Sequence, residues 1–130
     1  MKCTEIFNGA LRLLNEKGAA DENQDYAERA PYILSAMFSE SSKTDKNYRS
    51  VNSLSKQGSF NPTYTALTAE FPLSDRFVSA AVFYLAALLI IDENDDLSDS
   101  FYDKYCDSIS SIVAEISAGQ AAIEQIRDVY

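Results

Sequence analysis

The residues of this chain whose types and spacing come nearest to a chemical site form one run, Asp92-Glu93-Asn94-Asp95-Asp96-Leu97-Ser98-Asp99-Ser100-Phe101-Tyr102-Asp103. Asp92, Asn94, Asp96, Ser98 and Asp103 match several ligand positions of a twelve-residue calcium loop, where carboxylate, amide and hydroxyl oxygens surround the ion. Leu97, however, stands where that loop needs glycine for its sharp turn, and Asp103 is shorter than the usual bidentate Glu. Acids gathered at the start of a helix also have a plainer purpose, because they offset its dipole. A calcium-responsive helix pair is therefore a minor reading, and no metal site is expected. Nothing marks one of these acids for the raised pKa that acid–base catalysis needs.

The remaining chemistry is thin. Histidine is absent, which removes the commonest general base, the usual activator of serine and cysteine, and most zinc sites. There is no glycine-rich phosphate loop, GxSxG elbow or HExxH helix. Cys3 and Cys106 lie far apart and belong to no CxxC pattern, so they are expected to be reduced thiols within helices. The expectation is a chain that is not an enzyme, with no catalytic, cofactor-binding or metal-binding residues.

Charge directs attention to surfaces. The net charge of −9 disfavours nucleic acid and anionic membrane as primary partners, since both need dense positive charge. The charge is unevenly spread. Between Asp92 and Asp107, seven acids face Lys104 alone, for a local −6. Between Lys43 and Lys56, the bases Lys43, Lys46, Arg49 and Lys56 face Asp45 alone, for a local +3. Two solvated surfaces or two patches that meet between neighbouring copies would both account for this. Eight tyrosines and no tryptophan suit either a protein contact surface or hydroxyl-tipped rings around a small core.

The elements that must carry these residues follow from hydropathy. With 130 residues and 46% apolar content the chain fits one domain over residues 1–130, with a sizeable core. The polar N-terminus shows no signal-peptide pattern. The longest apolar stretch, Val78 to Ile91, is too short to cross a bilayer and reads as a buried helix. We expect an all-α, four-helix bundle-like domain with a central apolar helix over about 75–92. A long irregular loop over about 39–72 and a short C-terminal arm complete the expectation.

In detail, the first helix starts at Thr4 as N-cap and stops at Gly18. A polar link over 19–24 precedes Asp25, which with Glu28 has the form of a capping box. Pro31 either kinks the second helix or marks its true start. From Ser39 to Pro72 apolar periodicity disappears, and short strand pairing of Tyr48–Leu54 with Tyr64–Thr68 is compatible with the pattern. Ser74 caps the third helix and Leu73 can staple onto Val78. Ser98 caps the fourth, whose stripe is Phe101, Tyr105, Ile109, Ile112 and Ile116, and Gly119 ends it. Beyond, Ile123, Ile126, Val129 and Tyr130 make the tail more apolar than a loose end, whether it forms a last short helix or an extended arm.

Several segments carry a resemblance. They are Tyr26-Ala27-Glu28-Arg29-Ala30-Pro31-Tyr32-Ile33-Leu34, Glu70-Phe71-Pro72-Leu73-Ser74-Asp75, Phe83-Tyr84-Leu85-Ala86-Ala87-Leu88-Leu89-Ile90-Ile91-Asp92-Glu93-Asn94, Phe101-Tyr102-Asp103-Lys104-Tyr105 and Ile126-Arg127-Asp128-Val129-Tyr130. With Thr4-Glu5-Ile6 opening the first helix, the whole resembles the small helical proteins in the structural-gene cluster of tailed phages and Gram-positive prophages, of the head–tail connector or adaptor type. Such proteins often carry Gly just before the Leu-Ala of the core helix, where this chain has Tyr84.

The resemblance implies a non-enzymatic virion protein that is made in the host cytoplasm and then built into the neck. Its partners would be the portal, neighbouring neck or tail proteins, and copies of itself in a ring through which DNA passes, with no sequence-specific contact to nucleic acid and none to membrane. An acidic bore would let DNA slide, since its phosphates would find few cations. On this reading Lys43, Lys46, Arg49 and Lys56 of one copy approach Asp95, Asp96, Asp99 or Asp103 of its neighbour or of the portal, and Tyr130 belongs to the same interface. A bacterial regulatory adaptor or antitoxin-like helical module is the competing expectation.

Overall fold

The computed structural model describes residues 1–16 and 25–129. Four helices follow one another: α1 (Cys3–Glu16), α2 (Tyr26–Val51), α3 (Val78–Ile90) and α4 (Asp95–Val129), with a single 3-10 turn (Asp75–Phe77) leading into α3. The all-α, bundle-like expectation is met. No strand occurs among the described residues, where Lys2 and Glu70 form an isolated bridge. The suggested pairing of Tyr48–Leu54 with Tyr64–Thr68 does not form, because Tyr48 to Val51 are helical. Gly18, the 19–24 link and Tyr130 lie outside the described residues.

α3 is the axle. Phe77, Ala80, Ala81, Tyr84, Leu85, Ala86, Ala87, Leu89 and Ile90 are all buried, because a helix apolar on every side is stable only when others surround it. α1, α2 and α4 pack on it. Its large side chains each contribute about 1.5–3 kcal/mol by leaving water. α1 approaches closely at Gly9, where an added Cβ would stand 3.2 Å from Val82 Cγ2. α3 and α4 are antiparallel: Ser98 Oγ donates to the Ala87 carbonyl at 2.8 Å, and Arg76 pairs with Glu115 at the other end. The Arg29 guanidinium donates to the Leu88 and Leu89 carbonyls, which the end of α3 would otherwise leave unpaired.

Several helix ends differ from expectation. α1 begins at Cys3 rather than after Thr4. Glu5 accepts the Lys2 N–H at 2.9 Å as a capping box does, while the Thr4 N–H and hydroxyl both donate to the Leu67 carbonyl. Asp25 occupies the N-cap position of α2, but its carboxylate pairs with Arg29 instead of making a cap bond. Pro31 lies within α2, so the helix does not start there. The carbonyl that loses its donor belongs to the exposed Ala27, where water can replace it. Ser74 holds the N-cap position before the 3-10 turn, yet its hydroxyl makes no cap bond. Asn94, not Ser98, caps α4, its Oδ1 accepting the Leu97 N–H at 3.0 Å.

The larger corrections concern length. The irregular segment does not span 39–72: α2 continues to Val51, and only 52–74 is non-helical. The buried side of this extension carries Ser41 and Asp45, so hydropathy hides a face that geometry keeps, with Leu34, Phe38, Ser41, Asp45 and Tyr48 stepping by four, three, four and three. α2 ends without glycine. Ser53 takes a left-handed φ of 54°, and the Leu54 N–H reaches back to the Arg49 carbonyl at 2.9 Å. Gly119 likewise does not end α4. It sits inside a helix of 35 residues because a Cβ there would lie 2.2 Å from Val51 Cγ1, so its lack of a side chain admits α2. The C-terminal arm is therefore the continuation of α4.

Candidate functional site, a basic groove pinned by a buried carboxylate

The non-helical segment 52–74 is stitched to the bundle along its length. The Cys3 N–H donates to the Ala69 carbonyl, the Phe71 N–H to the Met1 carbonyl, and the Thr65 N–H to the Pro31 carbonyl. Ser35 Oγ contacts the Thr65 hydroxyl at 2.6 Å, and Phe60 and Phe71 both set their rings edge-on to Phe38. These bonds turn a segment of loop-forming composition into a fixed wall beside α2.

Asp45 is the pin. Its carboxylate is 0% exposed, accepting Arg49 Nε and Gln57 Nε2 on Oδ2, both at 2.8 Å, and the Ser74 N–H on Oδ1 at 2.9 Å. Burial alone would push its pKa up, but the hydrogen bonds from Gln57, Ser74 and Arg49 outweigh burial and hold it below the ordinary 3.8. The buried Ser74 hydroxyl lies close enough to contribute to that lowering without forming a well-shaped bond of its own. Gln57 also exchanges bonds with Ser42. Arg49 spreads its other donors over the carbonyls of Ser55, Lys56 and Pro72. Gly58 donates to the Pro72 carbonyl at 3.1 Å, and an added Cβ would meet Pro72 Cα at 3.1 Å.

Between this wall and α2 lies an open groove of about 790 Å³, lined by Ser39, Ser42, Lys46, Arg49, Ser50, Leu54, Ser55, Lys56, Gln57, Gly58, Ser59, Phe60 and Pro62. Three of the four bases singled out by sequence meet here, and no acid among the described residues lines the groove. Arg49 is committed to Asp45, so the uncompensated charge comes from the exposed Lys46 and Lys56, which make no ion pair among the described residues. Lys43 is exposed one turn earlier on α2, outside the lining. Leu54, Phe60 and Pro62 give the groove an apolar component.

The acids gather elsewhere. Asp95 and Asp96 occupy the first turn of α4, and Asp99 and Asp103 follow on successive turns, all exposed. Because α4 is helical from Asp95 onward, the run does not wrap as a calcium loop. Ile91, 43% exposed, and Asp92 sit in the turn just before it.

α2 and α4 run parallel: the Tyr26 hydroxyl reaches Glu93, Ser41 bonds Tyr105, and Val51 packs on Gly119. At 1.5 Å per residue this register puts Asp95 and Arg49 about 30 Å apart along the bundle. Acidic turn and basic groove therefore mark opposite ends of one molecule. No family model, curated protein or solved structure matches this chain.

Sequence reasoning found the bases and the acids but missed Asp45, Gln57 and Ser74. The available signal was the Asp45–Arg49 spacing of four, the pairing distance on a helix. It implied that α2 continues and that one of the four bases is spoken for.

Proposed function

We propose that this chain is a non-enzymatic assembly protein that works by being held end to end against other proteins. On its sequence resemblance, we place it with the head–tail connectors and adaptors of tailed phages. The observation that supports the reading is the separation of opposite charge by about 30 Å along the parallel α2 and α4. The Debye length is about 8 Å at physiological salt, so the two ends cannot neutralise each other within a chain. They can do so between chains, and one face meeting a different face is the contact from which rings close. A second feature agrees with this: residues 120–127 of α4 are all exposed, including Ile126 at 59%, so the end of the helix offers apolar side chains to a partner.

The test is electron microscopy of the purified chain with the portal protein of its own gene cluster, with light scattering on the chain alone. Rings of uniform diameter seated on the portal are the expected result. A chain that stays monomeric and binds neither portal nor neck proteins overturns the proposal.

A further inference from the structure

We infer that the basic groove receives the α3–α4 turn of a second copy, with Ile91 against its apolar floor and Asp92, Asp95 and Asp96 against Lys46 and Lys56. This rests on the assembly reading and names the contact through which it works.

Three observations select this occupant. First, the groove combines an apolar part, Leu54 and Phe60, with two cations that have no acid in the lining. Its occupant must pair a small apolar side chain with several carboxylates. The α3–α4 turn has that composition, because Ile91 is 43% exposed with Asp92 beside it and Asp95 and Asp96 one turn on. Second, turn and groove lie at opposite ends of the parallel α2 and α4, so the turn cannot reach its own groove. A copy displaced along the bundle axis brings its turn to the next copy's groove, which is a head-to-tail contact.

Third, the groove wall is already fixed. Gln57 and Arg49 are bound to the buried Asp45 carboxylate, and Gly58 to the Pro72 carbonyl. The turn is fixed as well, since the Glu93 and Asn94 N–H groups both donate to the Ile90 carbonyl at 2.9 Å and Asn94 caps α4. Two preformed surfaces lose little conformational freedom on contact.

The experiment uses the full chain with Cys106→Ser, which removes the one exposed thiol and leaves the buried Cys3. One sample carries Ile91→Cys, the other Leu54→Cys, and each is treated with a short bismaleimide alone and in equimolar mixture. Cross-linked dimer should form in the mixture at least about tenfold more than in either chain alone, and a chain with both substitutions should give a ladder beyond dimer. Lys46→Glu with Lys56→Glu, both at exposed positions, should reduce the mixed dimer about tenfold, as should raising the salt, since such contacts are screened. Adding Asp92→Lys and Asp96→Lys to the Ile91→Cys chain should restore it.

Equal cross-linking in the mixture and the separate chains overturns the inference. If the unsubstituted protein still forms oligomers or binds the portal, the assembly reading survives that result. If it does neither, both are overturned.

Discussion

Asp45 and Arg49, one turn apart on α2, form an ion pair at 2.8 Å in which the carboxylate is wholly buried and the guanidinium largely so. The pair closes a loop-forming segment onto a helix, and the groove beside it exists because that closure holds. A buried pair adds little over an apolar substitute, but losing one partner strands a charge.

Replacing Arg49 with Met should therefore destabilise the protein by about 3–5 kcal/mol, as expected when one member of a buried pair is removed. Asp45→Ala should cost a similar amount, because the Ser74 N–H and the Gln57 amide lose their shared acceptor. The double replacement should cost clearly less than the sum, and urea denaturation of all four proteins measures the difference. Additive losses would show that the pair does not act as a unit.

The same carboxylate sets an acid dependence. Its pKa in the fold lies below the ordinary 3.8, so the folded state binds the proton less tightly than the unfolded state. Its stabilisation is complete above about 3.8 and is lost as pH falls through the lower folded value. Asp45→Asn should be the less stable protein at neutral pH, with the gap closing as pH falls below 3.8. Urea midpoints taken across the acid range check this, and a gap that widens in acid would contradict it.

At the alkaline end the sign reverses. Burial first, and then the Glu40 charge, push Tyr84 up to about 12 from an ordinary 10.0. Tyr105 is also pushed up to about 12, chiefly by burial, against an opposing bond from Ser41. Stability from these rings is complete below about 10 and is lost as pH rises through about 12. Tyr84→Phe should flatten that alkaline loss, and tyrosinate absorbance should show these two hydroxyls ionising together with unfolding.

The two thiols should separate cleanly. Cys3 is buried, and burial followed by the Glu70 charge pushes it up to about 11, whereas Cys106 is exposed. A disulfide reagent should label one thiol per folded chain quickly and the second only in denaturant, because the thiolate is the reacting form and must be reached. Cys106→Ser should leave no fast phase.

Gly119→Ala tests the crossing of α2 and α4. Alanine is favoured over glycine inside a helix by about 1 kcal/mol, yet its Cβ would lie 2.2 Å from Val51 Cγ1. Val51 is β-branched and cannot easily swing aside. The substitution should lower stability by about 1 kcal/mol net, since overpacking costs about 1–3 kcal/mol. In a Val51→Ala background the same change should raise it. Thermal unfolding of the four chains decides.

The sequence alone determined what local composition can determine. The run from Phe77 to Ile91 is apolar nearly all round, which called for a helix surrounded by others, and α3 is that helix. The stripe from Phe101 to Ile116 is apolar on one side, so it had to lie against another helix. The two charge blocks were equally visible, as was the absence of histidine.

Tertiary contacts decided the rest. Whether α2 continued past Ser39 depended on Ser41 and Asp45 being buried, and a buried carboxylate is tolerable only because Gln57 and Ser74, 12 and 29 residues away, come to meet it. Whether Gly119 ended a helix or lay inside one depended on Val51 arriving beside it. That three of the four bases line one groove and the acids mark the far end depended on the fold of 52–74 onto α2 and on the parallel register of α2 and α4. Burial and helix crossings join residues distant in the chain, and the free energy of such contacts belongs to the pair rather than to either residue's own type.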